Sequence, residues 1–128
     1  MKHYVKGVVI DPNLQTVSTA EIAADEDGTV NLGALYDVLG CNLIDRFSLS
    51  SDADLIIDDE GLLKPNNPGF KIGDYPRYFA GKAIILRVDG GEWVSVPAVN
   101  LEGLYSMIEW AAPSDVQEQD MSIKVTTI

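Results

Sequence analysis

The stretch from Asn31 to Leu63 constrains the fold most, because its apolar spacing changes period at a single glycine. Leu32, Leu35, Tyr36 and Leu39 fall at i, i+3, i+4 and i+7, the stripe of a short amphipathic helix. Asn31 suits its N-cap, where a side-chain oxygen accepts a free first-turn N–H. Gly40 suits its end, where positive φ is reached without a Cβ clash. Beyond Gly40 the spacing turns even. Cys41, Leu43 and Phe47 lie on one face of an expected strand, with Ile44 on the other. Leu55-Ile56-Ile57 predicts a second strand. Asp58-Asp59-Glu60-Gly61 predicts an acidic turn with Gly61 left-handed, and Leu62-Leu63 begins the return.

The rest of the chain extends this pattern. Tyr4 to Ile10 reads as the opening strand, Asp11-Pro12-Asn13 as a turn and Gln15 to Ala23 as a second strand. The last of these carries Val17, Thr19, Glu21 and Ala23 on one face. Asp25-Glu26-Asp27-Gly28 is a second acidic turn, and Pro65 to Gly73 reads as loop. Ala83 to Val88 is an apolar strand apart from Arg87, closed by Asp89-Gly90-Gly91 and returned by Trp93 to Val96. Asn100 caps a second helix with Leu101, Leu104, Tyr105 and Ile108 on one stripe, and Pro113 stops it. The expectation is an α+β fold: a mostly antiparallel sheet with two short helices in one domain over residues 1–113. An acidic linker covers 114–120, and a C-terminal edge strand over 121–128 could join two copies as a homodimer.

Composition bounds the partners. The net charge of −11 opposes binding to duplex nucleic acid and to anionic membranes, unless a local patch reverses it. It fits plain solubility, and it also fits a surface that imitates nucleic acid for a basic protein. No apolar run approaches the ~20 residues that span a bilayer. No signal peptide is read at MKHYVKGVVIDP, and the lone Cys41 forms no intramolecular disulfide. The expected setting is the cytoplasm.

The pieces LYDVLGCNLIDRFSL, IIDDEGLLKPNN and FAGKAIIL, with the opening VKGVVIDP, resemble a small domain-of-unknown-function family of phages, plasmids and their bacterial hosts. That family carries a turn of the Asp-Glu-Glu-Gly type. Here Cys41 stands where its helix-end step has a second glycine, Asp58-Asp59-Glu60-Gly61 varies the turn, and the region from Asn100 has no counterpart. The resemblance implies a mobile-element setting and a compact domain. It implies no reaction, and no cofactor is expected.

Two groups of residues could carry chemistry. The carboxylates of Asp54, Asp58 and Asp59, with Asp52 and Glu60 nearby, offer oxygen ligands to a hard divalent cation, although no EF-hand spacing is present. The plainer reading is a solvated turn. The second group lies between Lys64 and Arg87, which holds five of the nine cations against one acid, Asp74. Lys71, Tyr75, Arg77, Tyr78, Lys82 and Arg87 are the candidate ligand-binding residues, because ring faces with cations suit a nucleotide or another phosphorylated small molecule. The plainer reading packs the rings in the core and pairs the cations with the acidic bulk. Catalysis is poorly served: His3 is the single histidine and no Ser-His-Asp or Cys-His set forms away from it. An enzyme here would run on carboxylates and a metal. The leading expectation is a non-enzymatic accessory protein that binds a host protein with a basic surface, such as a defence or nucleic-acid enzyme.

Overall fold

Two hairpins joined through one central strand build the main sheet of the computed structural model, which describes residues 3–126, with side chains as far as 119. The chain runs β1 (His3–Asp11), β2 (Thr16–Ala24), α1 (Leu32–Leu39), β3 (Ile44–Ser50), β4 (Ala53–Asp58), a 3-10 turn (Gly61–Leu63), β5 (Gly69–Ile72), β6 (Phe79–Ala80), β7 (Ala83–Asp89), β8 (Glu92–Val94), α2 (Leu101–Ser106), β9 (Ile108–Ala111) and α3 (Pro113–Thr126). The main sheet has the order β2-β1-β7-β4-β3, with β8 paired to the far end of β7. A smaller sheet has the order β6-β5-β9. Every strand pairing described is antiparallel, so the α+β expectation holds in its coarse form.

β7 sits at the centre because AIILRVD is apolar on both faces, and alternation sends its side chains to two cores. Ile84 and Leu86 join Val5, Ile22, Leu35, Leu39 and Ile56 under α1. Ala83 and Ile85 join Val8, Ile10, Leu55, Phe70, Ile72 and Phe79 under the small sheet. The result is three layers: α1, the main sheet, and the small sheet with α2. The turn after β7 has both Gly90 and Gly91 at positive φ, 61° and 82°, the backbone of a tight hairpin turn.

The helix is capped as its sequence requires. The Ala34 N–H donates to Asn31 Oδ1 at 3.1 Å, and Gly40 takes φ 67°. Its buried stripe differs from the one expected. Ala34, Leu35, Val38 and Leu39 pack on the sheet, whereas Leu32 is 51% exposed. The helix is apolar on adjacent stripes, so period alone does not choose between them; the side chains of β7 do.

Several further expectations are corrected. Cys41 and Leu43 precede the strand, which starts at Ile44. Leu62-Leu63 begins no return strand but belongs to the 3-10 turn, with Leu63 79% exposed. Gly61 is not left-handed; it is needed because a Cβ there would stand 2.7 Å from the Ala80 carbonyl oxygen. The Pro65–Gly73 loop contains β5, whose Phe70 is fully buried. Beyond β8, the Val96 N–H donates to Lys6 O at 2.9 Å, so the chain crosses to β1. Ile108 lies in β9, not in α2. Pro113 begins α3 instead of ending α2, since a first-turn residue needs no N–H. Among the described residues there are therefore three α-helices, not two. Residues 114–120 are helical and not a linker. The expected strand at 121–128 is helix as far as Thr126, with 127–128 outside the described residues. The edge strand proposed to join two copies is absent over that helical part.

Candidate functional site

β3 and the connection into β6 face each other across the end of the main sheet, leaving a cleft of about 150 Å³. Phe47 from β3 and Ile57 from β4 form one wall; Tyr75, Tyr78 and Phe79 form the other. The rings are ordered by their mutual contacts. Tyr75 stacks on Phe79 with centroids 4.9 Å apart and an interplanar angle of 28°. Phe47 meets Phe79 edge-on at 5.1 Å and Tyr75 at 6.1 Å. Phe79 also tilts against Phe70 at 5.6 Å, which anchors the group to the core. Exposed Asp45, Asp59 and Arg77 also line the cleft.

Tyr78 is held from three sides. Its backbone N–H donates to Gln119 Oε1 and its carbonyl accepts from Gln119 Nε2, both at 2.7 Å, so α3 grips it with one amide. Its hydroxyl donates to Glu109 Oε2 at 2.5 Å. That hydrogen bond favours the neutral phenol and raises its pKa above the usual value. Lys71 Nζ lies 4.5 Å from the Tyr78 ring centroid, a cation–π contact.

Of the six residues singled out from sequence, the structure therefore brings Tyr75, Arg77 and Tyr78 to one cleft and sets Lys71 against the Tyr78 ring. It places the other two elsewhere. Lys82 Nζ is 4.0 Å from Asp11 Oδ2, beside a separate depression. Arg87 Nε donates to Ser95 O at 3.2 Å.

The carboxylates considered as metal ligands are also separated by their bonding. Buried Asp54 accepts from Arg46 Nη1 at 3.1 Å and from Trp93 Nε1 at 2.9 Å. Buried Asp58 pairs with Lys64 Nζ at 2.5 Å and accepts the Glu60 N–H at 2.9 Å. The hydrogen bond to Asp58 raises the Lys64 pKa. Asp59 is exposed, and its N–H donates to Leu43 O at 3.0 Å. Among the described residues no three His, Cys, Asp or Glu side chains form a group able to hold a metal ion. Burial, and then Asp58, push the Cys41 thiol up, which disfavours the thiolate. His3 lies with Asp25, Glu26 and Asp27 at another depression.

Sequence reasoning missed Asp45 as a wall residue and missed the Asp54–Trp93 hydrogen bond. A signal for Asp45 was present, since it shares strand parity with Phe47.

Fold and site together define a three-layer antiparallel α+β domain with one ring-lined, side-chain-sized cleft described above. Residues 5–109 match the family model described as Domain of unknown function (DUF3846), and the chain belongs to that family. It is also similar to "Uncharacterized protein y4iR" of Sinorhizobium fredii (strain NBRC 101917 / NGR234), 31% identical over 94 residues. That match covers 73% of this chain and 56% of the relative, so the chain spans little more than half the relative's length. No solved structure matches the chain. Among the described residues no helix is long and apolar enough to cross a membrane.

Proposed function

We propose that this protein is a non-enzymatic accessory protein of a phage or other mobile element that binds a basic protein of its host in the host cytoplasm. A defence or nucleic-acid enzyme is the kind of partner that fits. One observation supports this above the others: the buried carboxylates Asp11, Asp54 and Asp58 each face a cation of their own, Lys82, Arg46 and Lys64. Lys64 and Lys82, two of the five cations of the 64–87 segment, are thus drawn to buried carboxylates, and the chain keeps its net −11. The mobile-element setting rests on the family resemblance of the turn and strand motifs. Such a surface steers a basic partner and loses its pull as salt screens it.

The test is capture from host lysate by the immobilised chain. The expected result is a basic partner at moderate salt whose recovery falls steeply as ionic strength rises. Recovery of no partner, or capture indifferent to salt, counts against the proposal.

A second reading, a binder of a nucleotide or other phosphorylated small molecule, draws on the meeting of Tyr75, Arg77 and Tyr78 at one cleft. The volume weighs against it, because drug-sized ligands occupy roughly 300–1,000 Å³. Thermal-shift screening of nucleotides tests it. A ligand at 100 times its Kd adds about 2.7 kcal/mol of stability.

A further inference from the structure

We infer that the ring-lined cleft receives the guanidinium of an arginine on the basic partner. This rests on the proposal above that the partner is basic, and it names where one of its side chains goes. Tyr75 gives one face to Phe79, and the half-buried rings of Tyr75 and Phe47 line an opening of about 150 Å³ that Tyr78 borders with its own ring turned to Lys71. That is below the roughly 300–1,000 Å³ of small-molecule pockets, the scale of a side-chain end and not of a nucleotide. Ring faces attract cations, and a planar guanidinium both stacks on them and forks onto a carboxylate.

The carboxylates set the sign. Asp58 is already met by Lys64, which leaves Asp45 and Asp59 against Arg77 alone. Asp45 stands on β3 opposite Ile57 of β4, and Asp59 follows β4 directly, so strand pairing holds the two near the same wall. Carboxylates outside a ring-walled slot suit an entering cation and repel an entering phosphate. Arg77 is exposed, and among the described residues it makes no ion pair. Its charge opposes a second cation, so removing it strengthens guanidinium binding. For a phosphate site the same change would weaken binding. The sign of the Arg77 effect therefore separates the two chemistries.

The experiment titrates ethylguanidinium chloride, and separately inorganic phosphate, into the full chain and follows backbone and ring NMR shifts. Ethylguanidinium is expected to shift residues 45–47, 57–62 and 75–80 saturably. Asp45→Asn with Asp59→Asn weakens it about fivefold to tenfold, and Arg77→Gln tightens it about twofold to fivefold, the scale of exposed charge pairs. All three positions are exposed, so melting curves are expected to show intact folds. Absence of a saturable shift there overturns the inference, as does indifference to the double variant. Phosphate binding that Arg77→Gln abolishes does so too, and marks an anion site. If the double variant loses ethylguanidinium but still captures its partner salt-sensitively, this site falls and the acidic-surface proposal stands. If no partner is captured while ethylguanidinium still binds, the pocket chemistry is supported and the partner is not.

Discussion

The two faces of the main sheet are built from different residues, and the difference locates the site. Under α1 the core is aliphatic: Ile56, Ile84 and Leu86 meet Leu35, Leu39, Val5, Ile22 and Val30. Branched aliphatic side chains interdigitate and fill such a space closely. Under the small sheet the centre is aromatic, with Phe70 and Phe79 flanked by Phe47 and Tyr75. Rigid rings pack edge to face around one another, and at the margin of β6 they leave the cleft open. One face is filled by aliphatic side chains; the other leaves the cleft that we propose as a binding site.

Replacing the central member of each core breaks or sharpens that comparison with the largest effects. Phe79→Ala removes the ring that touches Phe47, Phe70 and Tyr75, and should cost about 3–5 kcal/mol in urea unfolding. Leu35→Ala, fully buried under α1, should cost about 2–5 kcal/mol. Ethylguanidinium affinity distinguishes them: Phe79→Leu should weaken it, and Leu35→Val should leave it unchanged. Equal sensitivity at both positions would mean that the two faces are not separable.

Glycines offer the next test. Gly69 in β5 lies so close to the Phe79 carbonyl that a Cβ would collide with it, and would also stand 2.9 Å from Val116 Cγ2. Gly69→Ala should therefore destabilise by about 1–3 kcal/mol or more, measured by thermal melting, because backbone cannot yield as a side chain does. Gly7 in β1 faces the aliphatic core, where a Cβ would meet Leu86 Cδ2 at 3.0 Å and Ile84 Cγ2 at 3.2 Å. It would also stand 3.2 Å from the Ile85 carbonyl oxygen, a tight contact but not the backbone collision met at Gly69, so Gly7→Ala should cost less than Gly69→Ala. The reverse order would show that the aliphatic face is the less adaptable one.

The same two faces were unequally legible from sequence. α1 was readable because caps and period agreed: Asn31, Gly40 and the leucines point to one helix. β7 was readable as an apolar run closed by Asp-Gly-Gly. The small sheet was not. β5 hides in a Pro-, Asn- and Gly-rich stretch, and its Phe70 is buried only because β9 and β6 pair on either side. Pro113 resembled a stop, yet it opens α3, where Asp115 Oδ2 accepts the Ala112 N–H at 3.1 Å. Alternation of Met121, Ile123 and Val125 suggested a strand in what is helix as far as Thr126. At the site, Tyr75, Arg77 and Tyr78 are neighbours in sequence and were found together. Asp45 and Asp59 reach them only through tertiary pairing, which periodicity does not report.

The smallest expected effects lie in the pH dependence, and the two ends of the titration belong to different regions. On the small-sheet side, the Tyr78 phenol has its pKa raised chiefly by its hydrogen bond to Glu109. The folded value exceeds the unfolded one, so the contribution is complete below about pH 10 and is lost as pH climbs through the folded value. Lys64, raised by its hydrogen bond to Asp58, behaves alike near its own higher range. In the turn before α1, the Asp27 carboxylate is held below 3.8 chiefly by the Thr29 N–H, which it accepts at 3.0 Å. Its contribution is present above 3.8 and disappears as pH falls through the lowered folded value. Tyr78→Phe should therefore flatten the loss of stability above pH 10 by less than about 1 kcal/mol and leave the acid side unaltered. Asp27→Asn should do the opposite, flattening only the acid side. Urea midpoints at pH 3, 7 and 10.5 check both, and a Tyr78→Phe chain whose alkaline loss matched the parent would remove the Glu109 hydrogen bond from the account of how α3 and β9 hold the cleft wall.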